Sequence, residues 1–261
     1  MKNNKIEINL LFFLLMESVI LLFFFKTSLT NLFLGILVGI IAFLFFRKRK
    51  TNKLIKIILL LGSVIIIPFV LRNMTSFITS TLLKNYSSLT IIFTLFILSF
   101  YLAKKGYHTY IKSLEISCYF YLFLKIISFF LILPQINFSY FSTFRLDFSF
   151  SYQSFLLAFI IFYIFLAIKY LTNDTLSKAF IGFSFANPLL LKILSIMIIG
   201  NQLTNLYHYP YFEIFKKIKY LNFFERMEGI LSFQYLFSFF FLLSFLILVL
   251  KNVIKKESED S

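Results

Sequence analysis

The chain has 261 residues, of which 60% are hydrophobic, and its formal net charge is +15. So large an apolar share exceeds what a soluble domain can bury, and the apolar runs are continuous rather than alternating, which disfavours a β-barrel. The basic residues lie in short loops between these runs, which indicates membrane topology and not nucleic-acid binding. The composition therefore predicts an all-α polytopic membrane protein in a lipid bilayer.

Eight apolar runs predict about 8 transmembrane helices. In chain order they cover roughly residues 8–25, 31–46, 54–85, 89–103, 106–137, 155–170, 179–200 and 229–250. The second helix contains Gly35 and Gly39, a small-residue pair at a spacing that allows close helix packing. The third contains Pro68, which favours a kink or tilt, and we expect Asn187-Pro188 to interrupt the seventh.

An eight-span topology places both chain ends on one side of the membrane, and most basic residues fall on that side. The densest basic loop, Arg47–Lys53, belongs to it, whereas Lys216–Lys219 lies on the other side. The positive-inside rule then predicts that both ends are cytoplasmic. We expect one transmembrane domain over residues 1–251, a short polar cytoplasmic tail over 252–261, and location in the cell membrane.

The first candidate motif lies in the segment 106–137. It begins at Gly106 and carries Lys112 and Glu115, three positions apart on one helix face. Pro134 ends the apolar run, because proline does not continue a helix. A carboxylate at the start of a span is costly unless it is paired, so we expect Lys112 to pair with Glu115. An interfacial ion pair and an internal lock or ligand contact are both compatible with this spacing.

The second candidate motif lies in the polar segment between the seventh and eighth helices. It contains Pro210, Glu213, Glu225 and Arg226, and it is too polar to span a membrane. We expect short amphipathic helices along the membrane surface. The charges fit either a surface ion-pair network or a lid over an outward-facing cavity.

Together the two motifs resemble the endospore germination permease family, the B subunits of nutrient germinant receptors of spore-forming bacteria. The matching positions are Gly106, Lys112, Glu115, Leu133, Pro134, Gln135, Ile136 and Asn137, then Pro210, Glu213, Lys216, Ile218, Phe223, Glu225 and Arg226. The family usually has Arg in place of Lys112. The resemblance implies the amino acid-polyamine-organocation transporter superfamily and a LeuT-like inverted-repeat fold. Because the family's usual architecture continues past an eighth helix, we expect a truncated version of that fold.

The resemblance also implies a function and a site. Such a subunit binds a small nutrient, here an amino acid, in the spore inner membrane and signals to other germinant-receptor subunits. In the fold concerned, ligands lie near the bilayer midplane between helices one, three, six and eight. The polar residues that this places near the ligand are Glu17, Ser18, Arg72, Asn73, Tyr152, Gln153 and Ser154. Glu17 and Arg72 would complement the two charges of an amino acid, or they would simply neutralise each other.

The first helix lacks the family's unwinding glycines, and Ser151 to Ser154 replace its usual Pro-Phe-Gly-Glu-like turn at the sixth helix. Two other functions therefore stay open, an amino-acid secondary transporter and a ligand-free structural or assembly subunit. No phosphate loop, zinc-protease motif or carboxylate cluster is present in the sequence. We therefore expect no enzyme activity, no cofactor and no metal site.

Overall fold

The computed structural model describes residues 2–24, 28–46, 53–83, 86–143, 151–172, 178–207, 209–217 and 228–260. Within these ranges the chain is helical and contains no strand. The helices are α1 (Lys2–Phe24), α2 (Leu29–Phe46), α3 (Lys53–Thr81), α4 (Ser88–Lys104), α5 (Tyr107–Ile132), α6 (Tyr152–Thr172), α7 (Lys178–Ile199), α8 (Asn201–Leu206), α9 (Pro210–Lys217) and α10 (Glu228–Asp260). Short 3₁₀ turns at Leu133–Gln135 and Phe138–Thr143 follow α5. The eight predicted helices correspond to α1–α7 and α10, which confirms the all-α expectation.

Five segments of these helices are long and apolar enough to cross a membrane. They are Leu54–Thr81, Tyr107–Gln135, Tyr152–Thr172, Ile181–Ile199 and Gly229–Lys255. The apolar segments Leu29–Leu44 and Ser88–Lys104 are shorter. The protein is thus an all-α polytopic membrane protein, and of the eight predicted spans these five meet the length and hydropathy of a crossing helix.

Helix α1 lies at the centre of the bundle, where it packs against α5, α6, α7 and α10. Its residues from Leu11 to Met16 are all buried. A helix that is apolar on every face is covered either by lipid or by other helices. The run from Leu10 to Leu15 has that composition, and in this structure other helices cover it. The central position of α1 brings the polar residues in its middle, Glu17 and Ser18, into the interior.

Helices α2 and α6 approach closely at two glycines. A Cβ atom at Gly35 would lie 2.8 Å from the carbonyl oxygen of Ser154, and one at Gly39 would lie 2.8 Å from Cγ2 of Ile161. Only hydrogen fits at either place, so the absence of side chains sets the distance between the helices. The predicted packing role of the glycine pair is confirmed.

Both helices that contain an internal proline are continuous. Pro68 lies inside α3, and Pro188 lies inside α7. Since α7 extends unbroken from Lys178 to Ile199, the predicted interruption at Asn187-Pro188 is wrong. Neighbouring helices hold the helical path around a proline in a membrane bundle, even though one backbone hydrogen bond is lost.

Side-chain contacts give the directions of the helices. Phe13 stacks on Phe183 and Glu17 lies beside Asn187, so α1 and α7 are parallel. At one end of the bundle, the Lys251 ammonium donates a hydrogen bond of 3.0 Å to the carbonyl oxygen of Lys104. Lys251 of α10 therefore lies beside the end of α4, and residues 252–260 continue the same helix beyond it.

The opposite end of the bundle carries the short helices α8 and α9. Phe77, near the end of α3, contacts the rings of Tyr209 and Phe212. The Tyr209 hydroxyl donates a 3.5 Å hydrogen bond to Ser76. Burial raises the pKa of Tyr209, and this hydrogen bond lowers it by a smaller amount. The prediction of short helices in this polar segment is confirmed for the residues that the structure describes.

Candidate functional site

Three long helices contribute one polar side chain each to a cluster inside the bundle. Glu17 of α1 forms an ion pair with Lys125 of α5, and Asn187 of α7 donates a 3.3 Å hydrogen bond to the same carboxylate. The Glu17 side chain is 1% exposed and that of Lys125 is 12% exposed. We call these three residues the α1–α5–α7 cluster.

Aromatic rings surround the Lys125 ammonium. Its Nζ atom lies 5.8 Å from the ring centre of Phe13 and 5.6 Å from that of Tyr121. Ring faces attract a cation at such distances, and the attraction strengthens away from water. The ion pair and the rings together lower the cost of a charge that otherwise disfavours the membrane interior.

Further polar contacts tie α10 to the same region. The Gln234 amide donates a 3.0 Å hydrogen bond to Ser128 of α5. The Ser18 hydroxyl lies 2.6 Å from the carbonyl oxygen of Leu14 in its own helix and 2.9 Å from that of Ser238 in α10. These contacts fix α10 against α1 and α5, so the side of the cluster toward α10 is closed.

A small void lies on that closed side. Its volume is about 10 Å³, and its lining includes Glu17, Lys125, Gln234 and Tyr235. A space of that size is at the lower limit for one water molecule. No solute larger than water fits between the cluster and α10.

The other side of the cluster borders a cavity of about 430 Å³ between α1, α5 and α7. Its lining residues are Phe13, Leu122, Lys125, Ile126, Phe129, Phe130, Phe183, Asn187, Leu190 and Leu191. Lys125 and Asn187 are the polar members of this set, and the rest are apolar. Pockets for small ligands combine this size with an apolar lining and a few polar groups that fix orientation.

The structure brings together only part of the predicted ligand site. Glu17 and Ser18 are buried in the interior, as a site on α1 requires. Arg72 is exposed on α3 and forms no ion pair with Glu17, so the alternative in which these two charges neutralise each other is wrong. Asn73 donates a 2.8 Å hydrogen bond to the carbonyl oxygen of Phe69 in its own helix. Lys125, and not Arg72, is the basic partner of Glu17, because α5 packs against α1 at the level of Glu17.

The predicted group at the start of α6 does not join the cluster. Tyr152 is 75% exposed and Gln153 is half-buried. The Ser154 side chain is buried, but it bonds with Ser151 in the first turn of α6, and the Ser154 carbonyl oxygen lies against Gly35 of α2. These residues form the N-terminal turn of a continuous helix and not an unwound ligand site.

Sequence reasoning missed Lys125 and Asn187 as site residues. Lys125 interrupts an otherwise apolar run, and Asn187 stands beside a proline within another. A polar residue inside a span is a signal for function or for a partner on a neighbouring helix. The sequence carries that signal but not the adjacency of α1, α5 and α7.

The first motif has structural roles at its two ends. Gly106 has a φ of 95° between α4 and α5, a conformation that favours glycine. Pro134 lies in the 3₁₀ turn that ends the α5 segment. Lys112 is exposed and Glu115 is half-buried, and no ion pair joins them, so the predicted pair is wrong. An exposed lysine gains little from such a pair and loses side-chain freedom in forming it.

The second motif is described only in its first part. Pro210 begins α9, and Glu213 forms a 2.8 Å ion pair with Lys216 one turn later. This partly exposed pair agrees with a surface network. Glu225 and Arg226 lie outside the described residues.

Among the described residues, no group of three histidine, cysteine or carboxylate side chains is placed to hold a metal ion. No known protein family, curated protein or solved structure matches the chain. What the fold and the cluster define is a membrane-embedded helical bundle with a buried acid–base pair beside an apolar cavity.

Proposed function

We propose that the protein is a germination permease-like membrane subunit that binds a small nutrient, an amino acid, and passes the signal to partner receptor subunits. One observation carries this proposal: a carboxylate and an ammonium lie together in the bundle, next to a cavity of about 430 Å³. The family resemblance supplies the expectation of partner subunits, of cytoplasmic chain ends and of the spore inner membrane.

The charges of the cluster complement those of an amino acid. The ligand carboxylate would accept hydrogen bonds from Lys125, and its ammonium would replace Lys125 as the partner of Glu17. The four charges then alternate in sign, so the site remains neutral with and without the ligand. An exchange of partners of this kind costs less inside a membrane than the entry of an uncompensated charge.

The same exchange offers a route for the signal. Glu17, Lys125 and Asn187 join three separate helices, and the ligand would loosen their direct contacts. A ligand shifts a conformational equilibrium only by its different affinity for the two states. Partner subunits that contact α5 or α7 would then sense the altered position of these helices.

A ligand-free structural or assembly subunit is the second candidate. It is favoured by the internal neutralisation of Glu17 and by the continuity of α1 and α6, which offer no unwound backbone to a ligand. In that case the α1–α5–α7 cluster acts only as a polar tie between helices.

The two candidates are separated by thermal unfolding of the purified protein in the presence of a panel of amino acids. We expect one or a few amino acids to raise the melting temperature of the parent. The double variant Glu17→Gln/Lys125→Met removes both charges without leaving either unpaired, so it should fold but lose the response. If no amino acid stabilises the parent, amino-acid binding is excluded and the structural candidate stands.

A further inference from the structure

The cavity beside the cluster opens sideways from the bundle. At its mouth Ile126, Phe130 and Phe183 are 57%, 65% and 55% exposed. These residues belong to the membrane-spanning segments of α5 and α7, so the mouth lies within the surface that faces lipid tails. A molecule dissolved in the bilayer can reach this cavity without passing through water.

The inner wall contains Lys125 and Asn187, the two polar residues of the lining. A lysine ammonium has three N–H donors, and Lys125 uses its ion pair with Glu17. Its Nζ atom is enclosed and has no further hydrogen-bond acceptor among the described residues, so a ligand head reaches it when the end of the Lys125 side chain turns toward the cavity. The Asn187 side chain lines the cavity beside it. An occupant that satisfies this wall needs a small head that accepts hydrogen bonds.

We propose that the cavity binds a single-chain amphiphile with a carboxyl head, that is, a fatty acid of medium chain length. Its carboxyl head enters in the protonated, neutral form, because an ionised head would leave one uncompensated negative charge beside Glu17. The head contacts Asn187 at the cavity wall and Lys125 once that ammonium turns toward the cavity, and the chain lies between Ile126, Phe130 and Phe183. The volume of about 430 Å³ is near the lower part of the range of pockets for one small ligand, about 300–1,000 Å³. A two-chain phospholipid fits poorly, because its second chain and its large head have no place at the inner wall.

This inference goes beyond nutrient binding and does not require it. If the proposed nutrient site is also right, the fatty acid and the amino acid both need Lys125 and exclude each other. Membrane-soluble acids would then act as competitive inhibitors of the nutrient response.

The chain contains no tryptophan, so one introduced tryptophan is an unambiguous fluorescent reporter. Phe183→Trp places it in the cavity wall, and Phe130→Trp is a second reporter at the mouth. Phe93→Trp is the matched control, since Phe93 is 71% exposed on α4, away from the cavity. The full-length protein is placed in phospholipid vesicles, and fluorescence is measured as a brominated medium-chain fatty acid is added.

We expect saturable quenching in Phe183→Trp that an excess of the unbrominated acid reverses, and weak, linear quenching in Phe93→Trp. Adding Asn187→Leu to the Phe183→Trp reporter should raise the half-saturating concentration of the fatty acid by about tenfold. That change corresponds to about 1.4 kcal/mol, which is the free energy of one lost hydrogen bond. Adding Asn73→Leu should leave that concentration unchanged. Equal, linear quenching at the cavity reporters and the control would overturn the proposal. So would stronger quenching by a brominated phospholipid, which assigns the cavity to ordinary bilayer lipid.

The amino-acid panel gives an independent answer. Saturable quenching without any amino-acid stabilisation keeps the fatty-acid site and excludes the nutrient site. Amino-acid stabilisation with only linear quenching keeps the nutrient site and excludes the fatty acid.

Discussion

The Glu17 carboxylate of α1 and the Lys125 ammonium of α5 form an ion pair in the interior of the helical bundle. Asn187 of α7 donates to the same carboxylate, so the pair belongs to three helices at once. Desolvation makes each of these charges expensive on its own, and the pairing offsets most of that cost. The consequences for stability can be tested separately from any ligand.

The first prediction concerns the two charges. Glu17→Gln or Lys125→Met alone leaves its partner buried without a counter-charge, so each should destabilise the fold by about 3–5 kcal/mol. The double variant should be more stable than either single variant, because it leaves no lone charge. Thermal unfolding of the parent, both single variants and the double variant in one detergent measures this. A double variant less stable than both single variants would show that the charges act independently.

The second prediction concerns the hydrogen bond from Asn187 to Glu17. Asn187→Leu removes a donor to a buried carboxylate and should cost about 1.5–3 kcal/mol. Asn73→Leu is the control, since the Asn73 hydrogen bond lies within its own helix. This substitution should change the free energy of unfolding by less than about 0.5 kcal/mol. Equal melting temperatures for the two variants would remove Asn187 from the cluster.

Much of the fold follows from patterns that the sequence displays directly. The long apolar runs place α1–α7 and α10 because a helix is the structure that satisfies its own backbone in a membrane. The pair Gly35 and Gly39 marks a close helix contact, and the structure places it against α6. Glu17 and Ser18 stand out because they are polar residues in an apolar helix.

The partner of Glu17 could not be found in the same way. Arg72 and Lys125 are both basic residues within predicted spans, and charge alone does not distinguish them. The choice depends on which helix packs against α1, and that is a long-range property of the fold. The resemblance to the germination permeases indicated a partner on helix three, whereas in the structure Lys125 of α5 and Asn187 of α7 are the partners of Glu17. The Lys112–Glu115 pair failed for another reason, because helix spacing permits a surface pair without making it favourable.

The third prediction concerns close packing at a glycine of α3. A Cβ at Gly62 would lie 2.5 Å from Cδ2 of Tyr163, whose hydroxyl is 2.6 Å from that of Ser63. Gly62→Ala must displace this ring, so it should destabilise the fold by about 1–3 kcal/mol. Gly182→Ala is the matched control, because nothing lies within 4 Å of the added carbon in α7. Alanine favours helix over glycine, so the control should be neutral or slightly stabilising. A Gly62→Ala variant as stable as the Gly182→Ala variant would contradict this contact.

The last prediction concerns the sides of the membrane. Lys105 follows α4 at the end of the bundle where α10 also ends, and Lys216 lies on α9 at the opposite end. Both are exposed, whereas the native Cys118 is 0% exposed and should react slowly with polar reagents. We therefore expect Lys105→Cys to react with an impermeant maleimide only when the membrane is permeabilised, so that the reagent reaches the cytoplasmic face. Lys216→Cys should react from the outside, because the sequence predicts an excess of basic residues on the side of Lys105. The parent with Cys118 alone reports the background. Labelling of both variants from the same side would contradict the placement of these two ends on opposite sides of the membrane. Labelling of Lys105→Cys alone from the outside would show that the orientation is the reverse of the predicted one.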